Sequence, residues 1–372
     1  MMKKIGIIGA GIVGSTAAYY LTKNKQQVTV FDDGVGQATA AAAGIISPWL
    51  SQRRNKEWYF LAKEGARFYE DLIADLETHS STQKVYQKTG TVLYKKNEAL
   101  LKKLENLAIE RKQAAPEIGN IHTLSTSDIQ ALIPDIRLDS PALFISGGAK
   151  VDGAGLTELL LAEVTRKQNT VIKEKITKIE PVGNQWLVYD HQEVHTFDFL
   201  ILACGAWLGD LLRPLNFHVD IRGQKGQLIE VQTKADTTNA PVIMPVGEID
   251  VIPFDEGKIL IGATHENEEE YDLTPNKEKL NQLKIDGEEI LSNLMDAQIT
   301  GHRVGTRAYT SDFSPFFGEI ETLSNLLVAS GLGSSGLTTG PVIGKTLADW
   351  TLDVDTPFEN YRDKPNQYVF PK

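Results

Sequence analysis

The stretch Lys3–Leu21 reads KKIGIIGAGIVGSTAAYYL, and it decides the fold of the chain. Its apolar run Ile5–Ile8 predicts a short parallel strand that is fully buried, and the alanine-rich segment up to Leu21 predicts a helix. Between strand and helix lies a run with the G-x-G-x-x-G spacing of dinucleotide-binding turns, Gly9-Ala10-Gly11-Ile12-Val13-Gly14. The three glycines would in turn permit a tight turn, let a pyrophosphate approach the backbone, and let helix and strand pack closely.

A second strand is predicted over Gln27–Phe31, and it leads into Asp32, 18 residues after Gly14. An acid about 20 residues beyond the glycines hydrogen-bonds the ribose hydroxyls in such sites, so Asp32, followed by Asp33, is the candidate ribose ligand. Unpaired N–H groups at the helix start also favour the negative charge of a phosphate. We therefore predict a dinucleotide site, with a tight β–α turn that binds no ligand as the alternative.

Composition sets the class of protein. The 372 residues are enough for one large or two ordinary domains. With 38 basic against 49 acidic side chains, the net charge of -11 disfavours nucleic acid or an anionic membrane as a partner. Cys204 is the only cysteine, so no internal disulfide or cysteine-based metal cluster is expected. No apolar run reaches the roughly 18 residues of a membrane span, and we expect a cytoplasmic protein, compatible with a homo-oligomer.

Small residues crowd the segment 34–49. This composition suits a backbone that lies flat against a planar ligand, and the start of an alanine-rich helix is the alternative. Further on, periodicity and turn residues predict helices over Lys56–Leu76, Ala99–Ala114, Leu156–Lys167, Leu280–Leu294 and Val342–Trp350, and strands over Tyr86–Tyr94, Thr170–Ile172, Phe197–Cys204, Leu228–Val231, Val242–Met244, Asp250–Pro253, Lys258–Gly262 and Leu326–Ser330. The α/β pieces at the start, middle and end, with mixed material between them, indicate two interleaved domains.

The order of these motifs resembles the D-amino-acid oxidase superfamily of flavoproteins, above all its glycine oxidases and D-amino-acid dehydrogenases and oxidases. Besides the glycine motif and Asp32, the resemblance rests on five stretches: Ala38–Gly44, Ala203–Trp207 (ACGAW), Thr306–Asp312 (TRAYTSD), Ser314–Gly318 (SPFFG) and Gly331–Gly340. It implies an α/β fold in which a Rossmann-like FAD-binding domain (1–84, 147–222 and 302–372) is interleaved with an α+β substrate-binding domain built on an antiparallel sheet (85–146 and 223–301).

By this resemblance the cofactor is FAD, bound without a covalent link, and no metal is implied. Cys204 is interpreted as a small buried core residue rather than a flavin tether. Backbone N–H groups of Gly336–Thr339 would stabilise negative charge on reduced flavin, although an ordinary capped helix start is the alternative. The implied cofactor-binding residues are Gly9, Ala10, Gly11, Ile12, Val13, Gly14, Asp32, Asp33, Thr39, Ala42, Ala43, Gly44, Ile45, Ile176, Ala203, Gly205, Trp207, Arg307, Gly331, Gly333, Ser334, Ser335, Gly336, Leu337 and Thr338.

The implied reaction oxidises an amine on a carbon that bears a carboxylate. The imino acid formed would hydrolyse to a 2-oxo acid and ammonia or an amine, and O₂ or another electron acceptor would reoxidise the cofactor. The resemblance assigns Arg307 as the residue that holds the carboxylate, since a guanidinium offers two parallel hydrogen bonds. Arg303 is the competitor for this role, and a structural salt bridge is the alternative for either arginine. His265 and His302 could lie near the substrate or could be core or solvated histidines.

Two positions depart from the glycine oxidase pattern, which has an aromatic residue near Asp250 and an arginine near Ser334. An acid at Asp250 or Glu248 would favour a basic amino group if it lay near the substrate, and solvated loop acids are the alternative. The substrate therefore stays open at this point. Two other classes also stay open, namely an NAD-linked dehydrogenase and a non-redox or modification flavoprotein on the same fold.

Overall fold

The computed structural model describes residues 2–53 and 55–372, and its elements are labelled in chain order. The helices are α1 (Ile12–Lys23), α2 (Lys56–Glu77), α3 (Glu98–Lys112), α4 (Thr126–Leu132), α5 (Gly153–Arg166), α6 (Leu208–Leu212), α7 (Lys277–Ile290) and α8 (Gly336–Thr351). The strands are β1 (Lys4–Ile8), β2 (Gln27–Phe31), β3 (Ile45–Ile46), β4 (Tyr86–Gln87), β5 (Thr91–Leu93), β6 (Ile121–Leu124), β7 (Ala142–Ile145), β8 (Ala149–Val151), β9 (Thr170–Ile172), β10 (Lys178–Val182), β11 (Gln185–Tyr189), β12 (Val194–Phe197), β13 (Phe199–Leu202), β14 (Phe217–Val219), β15 (Arg222–Gln232), β16 (Val242–Met244), β17 (Asp250–Pro253), β18 (Lys258–Gly262), β19 (Gln298–Tyr309), β20 (Phe316–Ile320), β21 (Leu323–Ser330) and β22 (Val369–Pro371).

A six-stranded sheet with the order β20-β21-β13-β1-β2-β9 forms the first layer. Its central strands are parallel, and β1 pairs with β2 on one side and β13 on the other. Ile5 and Ile7 are fully buried because α1, α5 and α8 cover this sheet. The chain thus leaves β1 through the glycine turn at the point where the strand order reverses, which is where open α/β sheets bind ligands.

An eight-stranded, mainly antiparallel sheet with the order β19-β15-β18-β17-β16-β5-β7-β6 forms the second body. Alternate residues of a strand face opposite sides, and the two sides have different partners. On one side Ile229, Val251 and Ile261 pack with Leu283 and Ile290 of α7. On the other side Leu228, Ile252 and Leu260 pack with Ala43 and Ile45, which brings this face of the sheet against the segment that follows β2.

The predicted fold class is confirmed, and several element boundaries are corrected. The predicted strand Tyr86–Tyr94 is two strands, because β4 pairs with β8 and β5 pairs with β7 and β16. The last helix begins at Gly336 rather than Val342. The long strand β19 crosses the domain boundary predicted at residue 302 and pairs along β15 in the eight-stranded sheet, so we propose that the second domain extends to Tyr309. None of the helices described is long and apolar enough to span a membrane.

Candidate cofactor and substrate site

A cleft with about 1170 Å³ of empty space opens at the ends of β1, β2 and β13. The predicted cofactor residues that line it are Gly9, Gly11, Ile12, Val13, Asp32, Asp33, Thr39, Ile176, Ala203, Gly205, Trp207, Gly331, Gly333 and Gly336. One cleft therefore contains the glycine motif and the acid after β2 together with the carboxyl-terminal glycines, which follow them about 300 residues later in the sequence.

The glycine turn has the geometry that its spacing predicts. Gly9 has a φ of +98°, and a Cβ atom there would lie 2.4 Å from the Ala203 carbonyl oxygen. A Cβ atom on Gly14 would lie 1.9 Å from the Gly9 carbonyl oxygen. Gly11 is different because it lines the cleft and its extended backbone would tolerate a Cβ atom 3.2 Å from Thr39 Oγ1. Gly9 and Gly14 thus shape the turn, and Gly11 keeps the cleft wall free of side chains.

The start of α1 is suited to a phosphate. Gly11 occupies the N-cap position and offers no side-chain cap, while the Ile12 N–H donates to Thr39 Oγ1 at 3.0 Å. The remaining N–H groups of the first turn have no partner within the helix and carry the positive end of its dipole. The residues present therefore fit a dinucleotide pyrophosphate.

Asp32 holds the turn together as well as lining the cleft. Its Oδ2 accepts a hydrogen bond from the Ala10 N–H at 2.5 Å, and its Oδ1 accepts from the Gly34 N–H at 2.6 Å and from Gln37 Nε2 at 2.7 Å. Asp33 accepts a hydrogen bond from the Val35 N–H at 3.0 Å. Each carboxylate oxygen has more than one lone pair, so these bonds leave room for ribose hydroxyls, whose binding by Asp32 stays a prediction.

The segment after β2 contains turns and the short strand β3, with no helix between residues 32 and 47. Of the two alternatives, the structure therefore matches a backbone that lies along the cleft. Gly44 has a φ of +84°, and a Cβ atom there would lie 2.0 Å from the Val151 carbonyl oxygen. Ala42, Ala43, Gly44 and Ile45 are not among the residues that line the cleft. Instead, Ala43 and Ile45 lie between it and the eight-stranded sheet.

The start of α8 also borders the cleft. Thr338 Oγ1 lies 3.5 Å from the Ile45 carbonyl oxygen, the Ser334 N–H donates to the Tyr309 hydroxyl at 3.1 Å, and the Leu337 carbonyl accepts from the Tyr69 hydroxyl. Ser335 occupies the N-cap position but its side chain makes no cap hydrogen bond; its Oγ accepts from Trp58 Nε1 instead. The alternative of an ordinary side-chain-capped helix is therefore wrong, and the first N–H groups of α8 stay available beside Gly333 and Gly336.

The cleft is also lined by Ile176, Ala203, Gly205 and Trp207, and Ala203 lies directly against Gly9 of the glycine turn. Cys204 lies there too, and burial raises the pKa of its thiol to about 12. At neutral pH it is a protonated thiol rather than a nucleophilic thiolate. Cys204 is nevertheless only half-buried, because it lines the cleft beside the apolar core instead of lying within it, and its role toward the flavin stays a prediction.

Arg307 and Arg303 lie on the same face of β19, four residues apart, in different surroundings. Arg307 Nη1 donates to Gln224 Oε1 at 3.0 Å and to the Thr264 carbonyl at 2.9 Å. Across the described residues, no carboxylate pairs with it, and burial lowers its pKa. Its Nε and Nη2 donors are thus left for an anion.

Arg303 instead is a structural arginine. Its Nε donates to Glu230 Oε1 at 2.6 Å, and its Nη1 lies 3.2 Å from the Ala40 carbonyl and 3.4 Å from Asp152 Oδ1. The salt-bridge alternative therefore holds for Arg303 and not for Arg307. Sequence reasoning missed Gln224 and Thr264, which fix the Arg307 guanidinium, because neither belongs to a motif.

The two histidines and two acids considered in the sequence analysis have different surroundings in the structure. His302 is exposed, on the face of β19 opposite to Arg307. His265 lies near Arg307, and its pKa is lowered by desolvation and by the Arg307 charge. Glu248 is an exposed loop acid, as expected of the alternative. For Asp250 that alternative is wrong, because it is a residue of β17 whose pKa burial raises to about 7.

A second cavity adjoins this region, with about 1290 Å³ of empty space. It lies between the loops 245–249 and 263–266 and the helix α7, and both Glu248 and His265 line it. Thr264 lines this cavity, and its carbonyl accepts the hydrogen bond from Arg307. The cavity therefore reaches the surroundings of Arg307 from the side opposite to the glycine turn.

Together, the glycine turn at the switch point, the uncapped helix starts and the adjoining antiparallel sheet define a two-part dinucleotide-binding protein. The chain matches the family model of FAD-dependent oxidoreductases over residues 4–350. It belongs to this family, so it is an FAD-dependent oxidoreductase and the NAD-linked alternative is wrong.

Three relatives illustrate the match. An uncharacterised oxidoreductase of Bacillus subtilis, YurR, is 38% identical over 96% of this chain and 97% of its own length. Glycine oxidase of Pseudomonas putida is 28% identical, with 94% of each chain covered. The crystal structure of iminodiacetate oxidase from Chelativorans sp. BNC1 superposes with a TM-score of 0.92 at 30% identity, covering 97% of this chain and 99% of that one.

Proposed function

We propose that this enzyme oxidises the C–N bond of an α-amino acid or N-alkylglycine to an imino acid, which hydrolyses to a 2-oxo acid and ammonia or an amine. The observation that carries the proposal is Arg307, a half-buried guanidinium that has no carboxylate partner among the described residues and lies on the sheet face that meets the cofactor segments. Similarity to glycine oxidase and iminodiacetate oxidase supports the same class of substrate.

In this proposal, each residue has a defined task. FAD supplies the two-electron acceptor for the hydride of the substrate α-carbon. The Gly11 turn, Asp32 and the start of α8 would hold that cofactor. Arg307 would bind the substrate carboxylate through its free donors, while Gln224 and the Thr264 carbonyl fix the guanidinium plane. Fixed orientation matters because a carboxylate held by two parallel hydrogen bonds can no longer rotate about one contact.

The test is anaerobic reduction of the bound flavin by a panel of glycine, sarcosine, iminodiacetate, D-amino acids and L-proline. Bleaching of the flavin absorbance by at least one of them, with formation of the matching 2-oxo acid, is expected. If none reduces the flavin, the proposal fails and a modification flavoprotein becomes the better description. Repeating the reaction in air would then show whether O₂ or another electron acceptor reoxidises the cofactor.

A further inference from the structure

Asp250 is an isolated carboxyl group on the sheet face that carries Arg307. In the register of the eight-stranded sheet, Asp250 lies opposite Gly262, and Gly262 lies opposite Leu228. Leu228 in turn lies opposite Arg303, and Gln224 lies opposite Arg307 on the same strands. Cross-strand partners and residues two apart share a face, so Asp250 and Arg307 face the same side.

This side of the sheet meets the predicted flavin-binding segment. Ile252, two residues after Asp250, packs in the cluster that contains Ala43 and Ile45. The carboxyl of Asp250 makes no hydrogen bond or ion pair with any other described residue, and its cross-strand neighbour Gly262 has no side chain to offer one. A carboxyl group removed from water without a partner is unfavourable, and such groups occur mainly where a ligand supplies the partner.

The chain between the two groups sets their separation. Gly262 lies beside Asp250, and two residues later the Thr264 carbonyl accepts the hydrogen bond of Arg307. Two residues of chain span at most roughly 7 Å, so the Thr264 carbonyl that binds Arg307 lies close to the strand position opposite Asp250. Both groups therefore border the same part of this sheet face, where one small substrate could contact both.

We infer that Asp250 is the acid–base residue of the reaction, and that it binds the substrate ammonium group and takes one of its protons. This inference rests on the proposed function. In the step, one N–H bond of the ammonium breaks, its electron pair stays on nitrogen, and the proton goes to a carboxylate oxygen of Asp250. Nothing is oxidised at this stage, and the neutral amine formed is then the species whose α-carbon loses hydride to FAD.

None of the charged groups described around Asp250 forms an ion pair with it. The charged groups on the elements around it are Glu230 on β15, Arg303 and Arg307 on β19, and Lys150 on β8, while Glu248 and His265 lie on the flanking loops. Burial alone accounts for the raised pKa of Asp250, with no contribution from these charges. A base whose pKa lies near the working pH is the most effective proton acceptor.

The test compares wild type with Asp250→Asn, which keeps the shape and removes the ionisation. The matched control is Glu256→Gln, an exposed acid in the turn between β17 and β18. Anaerobic flavin reduction is measured between pH 5.5 and 10 with the substrate that reacts fastest. For wild type and the control, reduction efficiency should rise through pH 7 and then level off. For Asp250→Asn it should be about 10²–10⁴-fold lower at pH 7 and recover at alkaline pH, where the substrate amine loses its own proton.

A binding measurement tests the location of Asp250 without turnover. Acetate has a carboxylate for Arg307 but no amine, and its binding is followed by the change in the flavin spectrum. Wild type and Glu256→Gln should bind acetate more weakly above pH 7, where ionised Asp250 repels it, whereas Asp250→Asn should show no such loss. Equal acetate profiles for all three proteins, or a wild-type pH profile without an inflection near 7, would overturn the inference while leaving the proposed function intact. If no amino acid reduces wild type, the proposed function itself fails.

Discussion

Arg307 is a half-buried cation, and the nearby acid Glu266 already has other hydrogen-bond and ion-pair partners. Glu266, the acid whose charge raises the Arg307 pKa, is paired with Lys279 at 2.7 Å and accepts hydrogen bonds from Gln227 and Thr264. The guanidinium is therefore held in place by neutral groups, Gln224 and a carbonyl. Since none of the described residues offers it a carboxylate, a substrate carboxylate would be the first anion to bind it directly.

Replacing Arg307 by leucine should lower the efficiency of flavin reduction about 30- to several-thousand-fold, because losing one partner of a buried charge pair costs roughly 2–5 kcal/mol. Arg307→Lys should recover only part of this loss, since an ammonium group lacks the planar pair of donors. Stopped-flow reduction under anaerobic conditions gives the values, and flavin content, read from the absorbance spectrum, should stay near that of wild type. Unchanged reduction by Arg307→Leu would mean that another group holds the carboxylate.

Asp250 also predicts how stability depends on pH. Its pKa is about 7 in the folded chain and near 4 when unfolded, so the folded state holds a proton that the unfolded state has released between these values. The stabilisation is therefore complete below about pH 4 and is lost as the pH rises through 7. Asp250→Asn cannot ionise, so its melting temperature should match wild type at pH 4 and exceed it by a margin that grows up to about pH 7 and then stays constant to pH 8. A difference that stays constant over this range would show that Asp250 is ordinarily solvated.

At the scale of elements, the glycines of the turn have different tasks, since Gly14 is needed for folding and Gly11 for cofactor binding. Gly11→Val should abolish FAD retention, because its side chain would enter the cleft beside Thr39 where the pyrophosphate approaches. Gly14→Val is the contrast, since a Cβ atom there already overlaps the Gly9 carbonyl and should prevent folding. Far-ultraviolet circular dichroism and flavin content distinguish the two: a folded, colourless Gly11→Val protein is expected. Normal flavin content in that variant would contradict the assignment of the turn.

Asp32 has two roles in the same unit: it accepts hydrogen bonds from backbone N–H groups of the turn, and it is the predicted ligand of the ribose. Asp32→Ala should weaken FAD binding by about 1.5–3 kcal/mol, the value for hydrogen bonds to a charged acceptor, while leaving the helix start intact. The structure adds that the Ala10 and Gly34 N–H groups would lose their acceptor. Titration of apoprotein with FAD gives the affinity, and Glu256→Gln, an exposed acid outside the cleft, is the control. An affinity unchanged in Asp32→Ala would place the ribose contact elsewhere.

These elements also show how far the sequence alone could lead. The β1–glycine–α1 unit and the acid after β2 were predictable because their signals are local: a buried apolar run, a required glycine spacing and a fixed interval. The surroundings of Arg307 were not, because Gln224 and Thr264 reach it only through the pairing of β15 with β19 and the loop after β18. The surroundings of Asp250 stayed open for the same reason, since burial of an acid is set by neighbouring strands rather than by adjacent residues.

At the scale of the whole molecule, side chains join the eight-stranded sheet to neighbouring segments on the cofactor side. Arg303 projects from the eight-stranded sheet, pairs with Glu230 beside it, and reaches the Ala40 carbonyl and Asp152 on the cofactor side. Buried Lys150 donates in the opposite direction, from β8 to the carbonyls of Ala240 and Pro253. The relative position of cofactor and substrate residues thus depends on contacts that belong to neither site.

Arg303→Met tests this division of roles on the same strand face as Arg307. Methionine keeps most of the apolar stem but removes the hydrogen bonds to Ala40 and Asp152, and Glu230 keeps Lys258 as a partner at 3.3 Å. Loss of these charge-assisted bonds should destabilise the protein by about 1.5–3 kcal/mol, seen as a lower melting temperature and faster loss of flavin on dilution. Reduction of the flavin that remains bound should stay close to wild type, the reverse of the Arg307→Leu result. A variant with normal stability but impaired reduction would instead place Arg303, rather than Arg307, at the substrate.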